Sequence, residues 1–225
     1  MDVLVDEKYY EVAKPASVAE RLLIAARDRI FDDFVERNRP GPLTTIVDVG
    51  VSDVISNGAN LLERRHPYPQ NITACGLGDG ADFRRAFPKI EYVKIGANKR
   101  LPFSDNTFDI ATANAVLEHV GNEENQQFLI NELVRIAKRV FVTVPNRFFP
   151  IEHHTAVPLM HYTDRGFEMA CGLLNKSSWT DETNLILMTR KKLWSLAAHL
   201  PRNVSVGYTG LRMGPFSSNL YLAVH

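Results

Sequence analysis

The residues able to do chemistry fall in a few short segments. Pro145-Asn146-Arg147-Phe148-Phe149-Pro150-Ile151-Glu152-His153-His154-Thr155 gathers two imidazoles, a carboxylate, an amide and a guanidinium. A histidine here, His154 or His153, can take a proton from an acceptor hydroxyl, and Arg147 can clamp an anionic acceptor, with Asn146 and Glu152 beside it. The competing reading is structural: Glu152 pairs with Arg147 and the histidines cap loops. A second pair, Glu118-His119, offers another carboxylate and another candidate base, or else an exposed pair at a helix start. His153, His154, His161 and Glu152 are also metal-ligating types. Adjacent histidines usually point different ways, however, and no H-x-x-x-H spacing occurs, so no metal is expected.

Composition narrows the classes. The 225 residues carry 26 basic and 26 acidic side chains and are 45% hydrophobic, enough to bury a substantial core. Balanced charge argues against a whole-domain nucleic-acid surface, and twelve Phe argue against disorder. Two cysteines, Cys75 and Cys171, cannot build a disulfide scaffold or a four-cysteine zinc site. The acidic start Met1-Asp2-Val3-Leu4-Val5-Asp6 does not read as a secretory signal, and no stretch approaches the roughly 20 apolar residues of a membrane span. The expectation is a cytoplasmic protein with no membrane span. No G-x-x-x-x-G-K-[ST] loop or G-x-S-x-G elbow is present, which counts against triphosphate hydrolysis and an α/β-hydrolase.

These residues need elements to position them. Leu22, Ala26, Ile30 and Phe34, widened by Leu23 and Phe31, predict an amphipathic helix over 16–37, with Ser17 and Glu20 as a capping box and Arg39-Pro40-Gly41-Pro42 as its stop. Strands are expected at 44–50, 71–76, 90–95, 107–113 and 139–144. Helices are expected near 61–63, past the polar Asn57-Gly58 stretch, and at 81–87 and 123–138. This alternation predicts an α/β Rossmann-like three-layer sandwich. The sheet is expected to be seven-stranded and mostly parallel, with an antiparallel last strand. The whole of 1–225 reads as one domain: a helical extension (1–42), a core (43–146), a covering insertion (147–184), then a closing helix over 185–200 and a strand pair at 204–208 and 219–224. Trp194 reads as helix packing, Cys75 as core, and Arg64-Arg65 and Arg190-Lys191-Lys192 as solvated faces.

In such a sheet ligands bind beyond the carboxyl ends of the strands. An acid at Asp48 followed by Gly50 lets backbone approach a ligand closely while the carboxylate accepts from a charged amine. Together Ile46-Val47-Asp48-Val49-Gly50, Leu101-Pro102-Phe103-Ser104-Asp105-Asn106-Thr107-Phe108-Asp109 and Ala113-Asn114-Ala115-Val116-Leu117-Glu118-His119-Val120 resemble the class I S-adenosylmethionine-dependent methyltransferases, most closely their type-11 domain. The second and third segments are the specific part, since nicotinamide-binding folds share the Gly50 turn. The P-N-R-x-F-P element at Pro145 is similar to a subgroup found among surface-polysaccharide or small-molecule pathways.

The resemblance implies S-adenosylmethionine as cofactor, and methyl transfer to an oxygen or nitrogen of a small-molecule or glycosidic acceptor. It implies that Asp48, Gly50 and Ser52 cradle the amino-acid end of the cofactor, an acid after strand two the ribose, an acid after strand three the adenine, and Asn114 with Ala115 the sulfonium. The chain departs from the pattern at two of these places. Gly78 stands where the ribose acid aligns, with Asp79 next to it, and Ala97 stands where the adenine acid aligns, with Asn98 next to it. Those departures motivate a rival, a methyltransferase-like binding protein without catalysis. A nicotinamide-dependent oxidoreductase is a more distant one.

Overall fold

A computed structural model describes residues 18–53, 55 and 59–225. Thirteen regular elements run in the order α1 (Val18–Asn38), β1 (Ile46–Val49), α2 (Leu61–Arg65), β2 (Ile72–Gly76), α3 (Ala81–Ala86), β3 (Glu91–Lys94), β4 (Phe108–Asn114), α4 (Glu123–Ile136), β5 (Ala137–Pro145), α5 (Asp164–Leu173), α6 (Arg190–Ala197), β6 (Val204–Met213) and β7 (Phe216–Val224). Residue Ser17, the Glu20 side chain and Asn57-Gly58, all invoked from sequence, lie outside what is described.

The sheet order is β3-β2-β1-β4-β5-β7-β6. Strands β1 to β5 are mutually parallel, while β7 runs antiparallel to both β5 and β6. The β-branched strands form because side chains alternate between two buried faces. Ile46, Ile110 and Phe141 point to one face with Phe34, Leu62 and Phe83 of α1, α2 and α3. Val47, Ala111 and Val142 point to the other with Ile130, Leu133, Leu193 and Leu196 of α4 and α6. This is the expected three-layer sandwich.

Helix α1 follows its predicted stripe only in part: Ala26 and Phe34 are buried, whereas Leu22 is 49% exposed. Arg65 is not merely solvated. It pairs with Asp28 and Asp32 of α1 and lies over the Phe31 ring, tying α1 to α2. Cys75 is core as expected, and burial first of all pushes its thiol up to about 12.

Two expectations about the last third need correction. The closing helix is shorter than 185–200. It starts at Arg190, capped by the Thr189 hydroxyl, because the amide of Ile186 instead donates to Glu118 O, and Met188 O accepts from Arg147 N. Trp194 on that helix is 49% exposed rather than packed. The terminal strands are one long hairpin, with β6 reaching Met213 and β7 starting at Phe216. Gly210 does not break it: at φ +78° it marks the register shift between Thr209 and Arg212, a bulge that sequence alternation cannot reveal.

Candidate active site

The strand order reverses between β1 and β4, so the crevice opens where Gly50 and the turn after Asn114 meet. Gly50 has φ +99°, and a Cβ built there would lie 2.2 Å from Cγ2 of Val116. The glycine is what lets the β4 turn close onto the β1 loop. Ala115 supports the turn from the other side, in the left-handed region at φ +56°, with its amide donating to Thr143 O.

Asp48 is buried at the end of β1, and burial first, then the Glu63 carboxyl of α2, push it well above the usual carboxylate range. Burial likewise pushes Glu63 up to about 7. Burial and the neighbouring acid therefore both favour the protonated form of Asp48. Ser52 is fixed through its backbone: Asn60 accepts from Ser52 N and donates to Ser52 O.

The residues after β2 and β3 sit differently from expectation. Asp79 is 85% exposed and pairs with Lys94 at 2.7 Å; that bond holds its carboxyl below the ordinary range. Gly78 faces another acid, since the nearest side-chain atoms to a Cβ there belong to Asp53, 4.0 Å away. Asp53 Oδ1 accepts from the Phe83 amide and so anchors α3. Asn98 is exposed in a left-handed turn, and its amide donates to Val120 O. Asn114 is bound by two threonines, donating to Thr112 Oγ1 at 3.2 Å and accepting from Thr143 Oγ1 at 3.0 Å.

Beyond the β4 turn, Glu118 and His119 are not an exposed pair. Glu118 is 1% exposed and neither carboxylate oxygen has a hydrogen-bond partner; burial first pushes it up to about 7. His119 Nδ1 donates to Asn184 O at 2.6 Å, and its Nε2 stands 3.1 Å from His154 Nε2. Burial, then His154, lower His119 to about 4, so it is neutral at pH 7. Trp179 flanks both imidazoles, with ring centroids 5.2 and 6.4 Å away.

The insertion is held by residues that sequence reasoning assigned to the acceptor. Arg147 does not pair with Glu152. Its guanidinium meets Asp164 at 2.7 Å and donates to His161 O, fastening the segment to the start of α5. Asn146 is buried, donating to Ser217 O and accepting from Phe148 N, which leaves its amide committed. Glu152 accepts from His154 N, His154 Nδ1, Thr155 N and Thr155 Oγ1. Burial opposes its ionisation, but the His154 contacts and the Thr155 donors outweigh burial and hold it at about 2. His153 turns away to the Phe149 ring, and burial lowers it to about 4. His161 is fully buried against Phe149 O, apart from the cluster. A cavity of about 10 Å³, room for one water, lies against Glu118, Glu152 and His153.

Residues 59–140 match the model of a methyltransferase domain family, type 11. That span is similar to a type-11 methyltransferase domain. The matched span runs from α2 into β5 and so contains the Leu101–Asp109 and Ala113–Val120 segments, but it begins after the β1 loop. No curated protein matches by sequence.

Solved structures share the fold at low identity. An S-adenosylmethionine-dependent methyltransferase from Aquifex aeolicus superposes with a TM-score of 0.61 at 13% identity over 97% of each chain. One from Methanosarcina mazei gives 0.56 at 15% identity, over 84% of this chain and 94% of that one. A protein from Rhodobacter sphaeroides described as a zinc-dependent alcohol dehydrogenase gives 0.59 at 10% identity, over 97% and 93%. Fold alone thus does not separate the reactions; the sequence likeness to a methyltransferase domain is confined to residues 59–140.

Within the matched span the most specific motif is structural. Leu101 N donates to Glu132, Arg135 joins Glu132 to Asp105, and Phe103 packs edge-on against Phe108 at 5.0 Å. Asp109 accepts from Thr45 N and Lys138 Nζ. The motif pins the N-terminal ends of β1 and β4, opposite the crevice. Sequence reading missed Glu63, Asp53 and the convergence of Glu118 with His154. Each depends on contacts between distant segments, and no local spacing announces them.

Proposed function

We propose that this chain transfers the methyl group of S-adenosylmethionine to an oxygen or nitrogen of a small-molecule or glycosidic acceptor. The observation that carries the reading is the Gly50–Val116 approach, which sets the β1 loop against the turn bearing Glu118 and His119. The residues present fit the cofactor at its charged end: the buried carboxyls of Asp48 and Glu63 suit an ammonium group, which would favour their ionised forms. Asp53 beside Gly78 is placed to take the part of the missing ribose acid, in preference to Asp79, which Lys94 already engages.

When bound, the cofactor supplies a methyl carbon already activated by its positive sulfur. An acceptor that took up this methyl group would give up a proton. The chain then has two tasks, to hold the acceptor in line and to receive that proton. Neutral His119 with His154 is the candidate for the second task. Residues 1–225 read as one such domain, with 147–184 covering the acceptor side.

The test is calorimetric titration with S-adenosylhomocysteine, on wild type and on Asp48→Ala, followed by a labelled-methyl transfer screen. Micromolar binding lost in the variant, with label appearing in an acceptor, supports the proposal. No binding at millimolar ligand would favour the rival, a fold retained for binding without catalysis; the absence of an acid at Ala97 speaks for that rival.

A further inference from the structure

Glu118 and His119 lie on the single 3-10 turn after β4, and His154 arrives from the insertion, 35 residues away from His119. A carboxylate oxygen and one ring nitrogen from each histidine all lie within 4.8 Å of one another. We propose that Glu118, His119 and His154 form a binding site for a divalent first-row transition metal, zinc foremost. The site stands on these contacts alone and holds whether or not the chain transfers methyl groups.

The hydrogen bonds fix the tautomers. Asn184 O can only accept, so His119 Nδ1 carries the hydrogen in its 2.6 Å contact. Glu152 accepts from two backbone amides and the Thr155 hydroxyl, so it accepts from His154 Nδ1 as well, at 3.0 Å. With Nδ1 the donor in each ring, Nε2 is the nitrogen each presents with a lone pair, and the two face each other at 3.1 Å. Two opposed lone pairs at that distance repel unless a positive species sits between them. A proton could fill that place, but it would leave Glu118 with two buried oxygens and no donor. A cation satisfies all three groups together.

The geometry fits an ion of zinc type. Donors about 2.0–2.1 Å from a tetrahedral ion are about 3.3 Å apart. Here the two nitrogens are 3.1 Å apart, and Glu118 Oε1 is 4.0 Å from His119 Nε2. The second contacts also match, since each imidazole gives its other N–H to a carbonyl or carboxylate, the arrangement that orients metal-binding histidines. Two nitrogens and one oxygen favour a borderline transition ion over magnesium or calcium, which take oxygen donors. Three protein donors leave a fourth position for water or an acceptor oxygen. With the ion bound, both Nε2 lone pairs are committed to it, and activation of an acceptor passes from the rings to the ion.

Metal-stripped full-length chain is titrated with Zn²⁺ by calorimetry, and the bound metal is counted by elemental analysis. Co²⁺ serves as a visible-absorption probe, displaced by Zn²⁺. The expected result is one zinc per chain. Affinity should fall roughly tenfold or more in His119→Ala, His154→Ala and Glu118→Gln, each confirmed folded by circular dichroism, and hold in His199→Ala. Because the count and the cobalt spectrum are read on wild type, a variant that fails to fold does not decide the matter. No uptake by wild type, uptake unchanged in both histidine variants, or a preference for Mg²⁺ over Zn²⁺ would overturn the site.

Discussion

Gly50 and Val116 occupy the same volume that any larger residue at position 50 would need: a Cβ there falls 2.2 Å from Val116 Cγ2. The contact joins the β1 loop to the turn that carries Glu118 and His119, and so sets the distance between the β1 side of the crevice and the imidazole cluster.

Gly50→Ala is therefore expected to do damage twice over. The backbone at φ +99° disfavours any L side chain, and the methyl group collides with Val116. Destabilisation of about 2–4 kcal/mol is expected in urea unfolding, with S-adenosylhomocysteine affinity reduced in the folded fraction. A midpoint equal to wild type would show that the two loops part easily.

The Asp48–Glu63 pair makes stability depend on pH. Both carboxyls are pushed up on folding, Glu63 to about 7. Between the unfolded carboxyl value near 4.5 and that folded value, the native state holds more protons than the unfolded one. Stability therefore falls as pH rises through this window. Glu63→Gln should flatten the profile and be more stable than wild type at pH 8 by about 1–3 kcal/mol. Thermal melts at pH 5 and pH 8 test this; parallel profiles would refute the upward shift of the two buried carboxyls.

Asp53 and Asp79 compete for the ribose role. Asp53→Asn keeps an oxygen to accept from Phe83 N but loses the charge, and should weaken S-adenosylhomocysteine roughly tenfold. Asp79→Asn should change it less than about twofold, because Lys94 already occupies that carboxylate. The reverse order in calorimetry would return the role to Asp79.

His154→Ala should lower turnover about 100-fold or more while leaving cofactor affinity intact, since the ring contacts His119, Glu152 and Trp179 rather than the β1 loop. Steady-state and equilibrium binding measurements separate the two effects. Unchanged turnover would remove the cluster from the reaction.

Arg147 belongs to the architecture of the insertion. Its ion pair with Asp164 and its bond to His161 O join the P-N-R-x-F-P segment to α5. Arg147→Ala is expected to speed proteolytic cleavage within 147–184 several-fold, with the sheet intact by circular dichroism. Cleavage at the wild-type rate would show that the insertion is held by other contacts.

The sequence by itself determined the α/β alternation and the strand positions within a few residues, because buried strands and amphipathic helices write their periodicity locally; the reversed last strand and the likeness to methyltransferases came from the resemblance carried by the Leu101–Asp109 and Ala113–Val120 segments. The sequence also marked Asp48, Gly50 and His154, which lie at strand ends or in a dense polar segment. Only the tertiary structure decided what those residues meet. Glu63 faces Asp48 from another element, Asp53 fills the space beside Gly78, and Asp164, not Glu152, receives Arg147. His119 and His154 come together where Gly50 admits Val116 and where the 185–189 segment stays out of the helix, its Ile186 amide bound to Glu118 O. Pairings of this kind are set by which chain segments cross at the switch point of the sheet, and linear spacing carries no record of that crossing.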